Sequence, residues 1–258
     1  LHDALPIYAG MEIDMVSACF IDHLEQLVNE GTVSEKKIDD AVRNILRLKF
    51  RLGLFTNPYT DLGLQRKAYN AEHLEAAKKA AEESFVLLKN KNNILPLNKD
   101  IKTIAIIGPM ADAPHDQMGT WCFDGEKEHT RTPLNALKEQ FGKEVHFIYE
   151  PALAFSRDMD KSNFPKAVET AKQADVVLLF IGEESILSGE AHSLANLDLV
   201  GAQSDLVAEL SKTGKPIVTI VMAGRPLTIG KETDQSDALI YAWHPGTMGG
   251  PAIADILF

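Results

Sequence analysis

Apolar and polar positions change rhythm once along this chain. Up to residue 55 the apolar residues recur at helical spacing, and in "EKKIDDAVRNILRLKFRLGLF" Ile38, Val42, Ile45, Leu46 and Leu52 share one face. Thr32 and Glu35 stand ahead of that segment in capping-box spacing and Gly53 follows as a stop, which predicts one helix within a helical stretch over residues 8–55. Residues 56–67, "TNPYTDLGLQRK", hold Pro, Gly and Asn without a period and read as a linker. A second helix is predicted from about Asn70 to Ser84, after which "FVLLKN" and "NILPLN" frame a turn rich in Lys and Asn.

From residue 103 the pattern alternates between strand-sized apolar runs and amphipathic segments. "TIAIIGPM", "VHFIYE", "DVVLLFIG", "PIVTIVMAG" and "ALIYAW" predict strands at 103–110, 145–150, 175–182, 216–224 and 238–243. Continuous runs of this kind mark strands buried on both faces. "PLNALKEQ", "FPKAVETAKQ" and "AQSDLVAELSKTG" predict the helices between them, and "GGPAIADILF" has helical spacing at the end. Alternation on this scale predicts βαβ units: an α/β fold with a mostly parallel sheet sandwiched by helices. Ligands of such sheets bind at the carboxyl ends of the strands.

One strand leads into an acidic loop at that end. "DVVLLFIGEESILSGEAH" passes from six apolar residues to a segment holding Glu183, Glu184 and Glu190. Spacing alone does not separate a catalytic carboxylate from a solvated one. Gly189 and Ser188 give Glu190 a sharply turned support, and its position at a strand's carboxyl end favours function. An acid that protonates a leaving group needs its pKa raised by burial or by a second carboxylate, so the loop requires a partner surface.

Composition narrows the rest. The chain has 258 residues and a net charge of −11, which argues against nucleic acid as a partner, since a phosphate backbone needs clustered Lys and Arg. The longest apolar runs fall far short of the roughly 20 residues of a membrane span. Cys19 and Cys122 have no paired spacing, the eight histidines are scattered, and neither metal nor cofactor is expected. "IGPMAD" lacks the glycine patterns of nucleotide sites, and Pro109 lacks the N–H a phosphate cradle would use. Trp121, in the Gly-flanked "MGTWCFDG", can stack on a sugar or plug a loop. The first seven residues, "LHDALPI", lack the basic start and apolar run of a secretion signal and have no period. They equal one reading frame of a common sequencing adaptor. Residues 1–7 are therefore expected to be adaptor-derived, with the protein extending upstream and, from the uncapped end, downstream.

A series of segments in order resembles the family 3 glycoside hydrolases, particularly bacterial β-glucosidases of the periplasmic type. The series comprises "AGMEIDM", "RNILRLKFRLGLFTNPY", "ESFVLLKN" with "ILPL", "IAIIGPMAD", "GTW", "GEESILSGEA", "GKPIVTIVMAGRPL" and "AWHPGTMGGPAIADILF". The resemblance implies that residues 8–55 are the end of a (β/α)8-type barrel, 56–67 a linker and 68–258 an α/β sandwich domain. It further implies a retaining β-glucosidase acting on oligosaccharides or β-glucosides in the periplasm, with Glu190 as general acid/base and Glu183 and Glu184 shaping the loop. The family's nucleophilic aspartate lies upstream of "AGMEIDM", and none of Asp3, Asp14 or Asp22 matches it. On this reading the chain needs a barrel supplied by the missing part of the same protein and is inactive alone. Two positions depart from the family pattern: Leu194 stands where an Arg is usual and Val200 where a Pro is usual. His192 does not match the catalytic histidine of some relatives, which sits on a barrel loop. The rival reading is a non-catalytic α/β module that binds a carbohydrate or small ligand.

Overall fold

The structure, a computed structural model, describes residues 2–67 and 69–258. Leu1, the start of the expected adaptor-derived segment, and Ala68, the expected start of the sandwich domain, lie outside the described residues. The chain divides into two compact units, Leu1–Ala68 and Tyr69–Phe258.

In the first unit a 3-10 turn, His2–Ala9, precedes helices α1 (Cys19–Asn29) and α2 (Glu35–Arg51). The aperiodic start thus folds as 3-10 helix, and Ala4 and Ile7 pack with Leu27 and Val33. Residues 10–18 are not helical, contrary to the expectation for this stretch. Val16 and Ala18 have positive φ, and the Asp14 carboxylate accepts bonds from Ser17 Oγ and the Phe20 amide, local bonding that competes with helix. The cap of α2 also differs from the expected Thr32. Ser34 Oγ accepts from the Lys37 amide at 3.3 Å, because Thr32 is tied into the preceding turn by its amide bond to Leu27 O. Residues Leu62–Lys67 of the expected linker form a short 3-10 turn.

The second unit opens with α3 (Ala71–Ser84), capped by Asn70 Oδ1 on the His73 amide at 2.9 Å. Its sheet holds β1 (Val86–Asn90), β2 (Thr103–Ile107), β3 (His146–Glu150), β4 (Val176–Gly182), β5 (Ile217–Met222) and β6 (Ala238–Tyr241). The helices are α4 (Pro114–Met118), α5 (Pro133–Phe141), α6 (Phe164–Lys172), α7 (Gln203–Ser211), α8 (Gly230–Gln235) and α9 (Gly249–Leu257). Strand order is β1-β6-β5-β4-β2-β3, parallel throughout except for β1 against β6. This is the α/β sandwich the alternation predicts.

Strand alternation sorts the core into two layers. Val177, Leu179, Ile181 and Val221 face Phe164, Ala167, Leu206 and Leu210 of α6 and α7. Leu178, Phe180, Val218 and Ile220 face Leu134 and Leu137 of α5 and Ile253 and Leu257 of α9. Every residue of β4 is buried, so the strand reads as an unbroken apolar run. Aspartates at the amino ends set the register. Asp175 Oδ2 accepts the Lys102 and Thr103 amides at 2.9 Å each, bonds that hold its carboxyl below the usual range, and Asp237 Oδ2 accepts the Ile217 amide at 3.0 Å.

At the other end β4 leaves the sheet at Gly182. Gln203, wholly buried at the start of α7, gives Gly182 the pairing a neighbouring strand would supply: Oε1 accepts its amide at 2.9 Å and Nε2 donates to its carbonyl at 2.8 Å. Gly182 has φ +148°, and a Cβ there would lie 1.8 Å from Met222 O, so only glycine fits. No helix among the described residues is long and apolar enough to cross a membrane. Phe180 is fully buried, so Phe180→Ala should lower the unfolding free energy by about 3–5 kcal/mol, read from urea denaturation.

Candidate active site at the carboxyl ends of the strands

The loops after β2, β4, β5 and β6 meet at one end of the sheet. They enclose an open hollow of about 450 Å³ lined by Trp121, Ser188, Gly189, Gly224 and His244 among others. A larger hollow of about 540 Å³ lies between α6 and α7, where Lys161 and Asp205 pair, and holds none of the loop glutamates.

Each of the three loop glutamates has a different environment. Glu183 is wholly buried, its amide donates to Met222 O at 2.9 Å, and its carboxylate faces Arg225 Nε at 3.3 Å. Burial pushes its carboxyl up and Arg225 pulls it back only in part. Glu184 accepts from Ser156 Oγ at 2.7 Å and from Arg157 Nε and Nη2 at 3.1 and 2.9 Å. The Arg157 guanidinium holds its carboxyl below the ordinary value. Glu190 is exposed, and among the described residues its carboxylate has no partner.

The support beneath Glu190 is built from short hydrogen-bonded links. Thr120 Oγ1 donates to Ser185 O at 2.8 Å and lies 2.8 Å from Ser188 Oγ. The Ser185 amide and hydroxyl bond Asp116 Oδ1 at 2.9 and 3.1 Å. Gly189 to His192 then form a tight turn, closed by the His192 amide on Gly189 O at 3.2 Å. Glu190 follows Gly189, at φ +107°, and precedes Ala191, at φ +62°. His192 Nδ1 lies 2.8 Å from the Glu190 carbonyl, so it supports the backbone of the turn. Gly224 cannot carry a side chain, since a Cβ would lie 2.1 Å from Ser188 Oγ.

Trp121 is 61% exposed and meets Phe123 edge-on at 5.8 Å between ring centroids, so it projects from its loop instead of plugging it. His244 lines the floor. Both its ring nitrogens are buried without a well-aligned partner, and burial holds it toward the neutral form against the pull of Asp116. Sequence reasoning missed Arg225, Arg157, Asp116 and His244. Arg225 and His244 each follow a core strand within three residues, in "VMAGRP" and "IYAWHP", so the rule that selects the acidic loop would have selected them too. Of the two departures from the family pattern, Leu194 is exposed and Val200 half-buried.

The fold is thus an α/β sandwich with an exposed carboxylate, Glu190, on a loop at the carboxyl ends of its strands. Residues 85–258 match the model of the glycosyl hydrolase family 3 C-terminal domain, and the chain belongs to that family. It is 36% identical over 275 residues to a periplasmic beta-glucosidase of Salmonella typhimurium, covering 97% of this chain and 36% of that protein. A beta-xylosidase of Formosa agariphila is 32% identical over 98% of this chain and 37% of its own length. Among solved structures, the beta-glucosidase from Listeria innocua in complex with glucose superposes with a TM-score of 0.84 at 36% identity, over 97% of this chain and 34% of that one. The chain thus spans about a third of the length of these relatives.

Glu184 provides a pH test. Its carboxyl is lowered on folding, so its ionised form adds stability above the unfolded value, and that stability is lost as pH falls through the folded value. Glu184→Gln should flatten the acid limb of stability against pH while leaving its slope above neutrality unchanged, as read by thermal melts across pH.

Proposed function

We propose that this chain is part of a retaining β-glycosidase of the β-glucosidase type that releases terminal non-reducing β-D-glucosyl residues from oligosaccharides. Glu190 is its general acid/base. The nucleophilic aspartate belongs to a barrel domain of which residues 8–55 are the end, with 56–67 as linker and 68–258 as the sandwich domain. The observation that carries this reading is the position of Glu190: an unpaired carboxylate on a braced turn beyond the carboxyl end of the central strand. Glu183 and Glu184 are engaged by arginines and cannot turn outward without breaking those pairs.

The chemistry follows from the two-carboxylate scheme. In a retaining enzyme the carboxyls stand about 5–5.5 Å apart, one attacking the anomeric carbon while the other protonates the departing oxygen. The acid's pKa must be raised, which the approach of a second carboxylate and the loss of water on docking would supply. Glu190 alone has neither, and this motivates the division of the site between two domains. The exposed Trp121 ring offers a flat apolar face to the departing sugar. The beta-glucosidases of Salmonella typhimurium and Listeria innocua match at 36% identity against 32% for the Formosa agariphila beta-xylosidase, which supports glucose over xylose, and the name of the Salmonella typhimurium relative supports a periplasmic setting.

Two measurements test the proposal. The purified 258-residue chain should hydrolyse no aryl β-glucoside, and measurable turnover would overturn the division of the site. In the complete enzyme, Glu190→Ala should lower kcat/KM for an unactivated disaccharide by about 10²–10⁴-fold. An aryl glucoside whose leaving group needs no proton should be affected far less. Equal losses on both substrates would remove Glu190 from the acid's role.

A further inference from the structure

Arg225 does more than neutralise Glu183. It lies three residues past the end of β5, and its side chain is 15% exposed. Nε faces the buried Glu183 carboxylate at 3.3 Å, at the point where the acidic loop begins. Nη2 donates to two main-chain carbonyls of that same loop, Leu187 O and, at 2.9 Å, His192 O. Those carbonyls bracket Glu190, three residues before it and two after. One planar group thus holds the root of the loop and both sides of its turn.

The backbone of Arg225 is itself fixed. Tyr241 of β6 donates its hydroxyl to Arg225 O and accepts from the Leu227 amide at 3.1 Å. Glu183 is tied to β5 through its amide. Both halves of the pair therefore ride on adjacent core strands, β4 and β5, in continuous register from Val177 with Ile217 to Gly182 with Met222. A buried carboxylate without a hydrogen-bond partner of good geometry is costly, and here that cost keeps the guanidinium in one orientation.

We propose that Arg225 is a positioning residue for the general acid/base, held in orientation by Glu183, and that the pair fixes the Gly189–His192 turn relative to the sheet. This rests on the reading of Glu190 given above. A lysine at 225 would keep the charge but not the planar fork that serves a carboxylate and two carbonyls together.

The test uses Arg225→Met, Arg225→Lys and Glu183→Gln in two settings. In this chain, hydrogen exchange of residues 185–193 is compared with that of β4 and β5 in the same sample. The loop should exchange roughly tenfold faster or more in Arg225→Met and by an intermediate amount in the other two, with strand protection unchanged. In the complete enzyme, Arg225→Met should lower kcat by about 100-fold on an unactivated disaccharide with KM little changed, and far less on an aryl glucoside with a good leaving group. Unchanged loop exchange overturns the proposal, as does loop and strand loosening together in all three variants, which would make the pair a general stabiliser. An equal kcat loss on both substrates also overturns it. If Glu190→Ala spares the unactivated disaccharide, the role of Glu190 falls while the exchange arm still decides the tether.

Discussion

The structure depends on a strand that has no wet side. Each residue of β4 is buried, so helices must cover both faces and the chain can leave only at its ends. At the amino end Asp175 ties the strand to the start of β2. At the carboxyl end the polypeptide must pass abruptly from a dry interior to solvent. Gly182 makes the close approach to Met222 O, Gln203 satisfies the polar groups that the neighbouring strands no longer reach, and Glu183 is the first charge the chain meets, still inside. The site grows out of that transition.

Charge within the loop is divided by depth. Glu183 is sealed against Arg225, Glu184 is partly covered against Arg157, and Glu190 is exposed, its carboxylate without a partner among the described residues. A single acidic segment thus contains two carboxylates that stabilise its path and one left available. The same grading runs across the floor, from the buried nitrogens of His244 to the open face of Trp121. The frame beneath them is mixed: Asp116, Thr120, Ser185 and Ser188 bond one another, while the Glu183 carboxylate, Arg225 Nε and both His244 nitrogens are buried without well-aligned partners.

Much of the sandwich is legible in the sequence because its strands are covered twice. Runs such as "VVLLFI" and "IVTIVM" have no polar face to confuse their period, and the predicted strands fall within a few residues of the observed ones. β1 escapes for the opposite reason. It is an edge strand with Val86, Leu87 and Leu88 part-exposed, and its antiparallel pairing with β6 spans about 150 residues with a register shift. Residues 10–18 escape because side-chain bonds from Asp14 outweigh a helical composition. In the site, the loop is legible from its place after a strand, and Glu190 is singled out by resemblance to a family. Arg225 is marked by its place just after β5, but Arg157 and Asp116 are not legible from spacing, since each reaches the loop from a distant segment and only folding brings them together.

The side-chain bond between Gln203 and Gly182 separates two kinds of history within one domain. Because an amide group closes the strand end on one side and the Glu183 amide closes it on β5, the sheet does not rely on the residues beyond Glu183 to finish its hydrogen bonding. Within the loop, Ile186 is exposed and stands outside the braces at Ser185, Ser188 and Gly189, so its side chain can change without disturbing the strand end. The hinge points Gly182, Gln203 and Gly224 must stay as they are. Diversity in such a lineage would collect between fixed posts, and the posts would be the slowest-changing positions on that face.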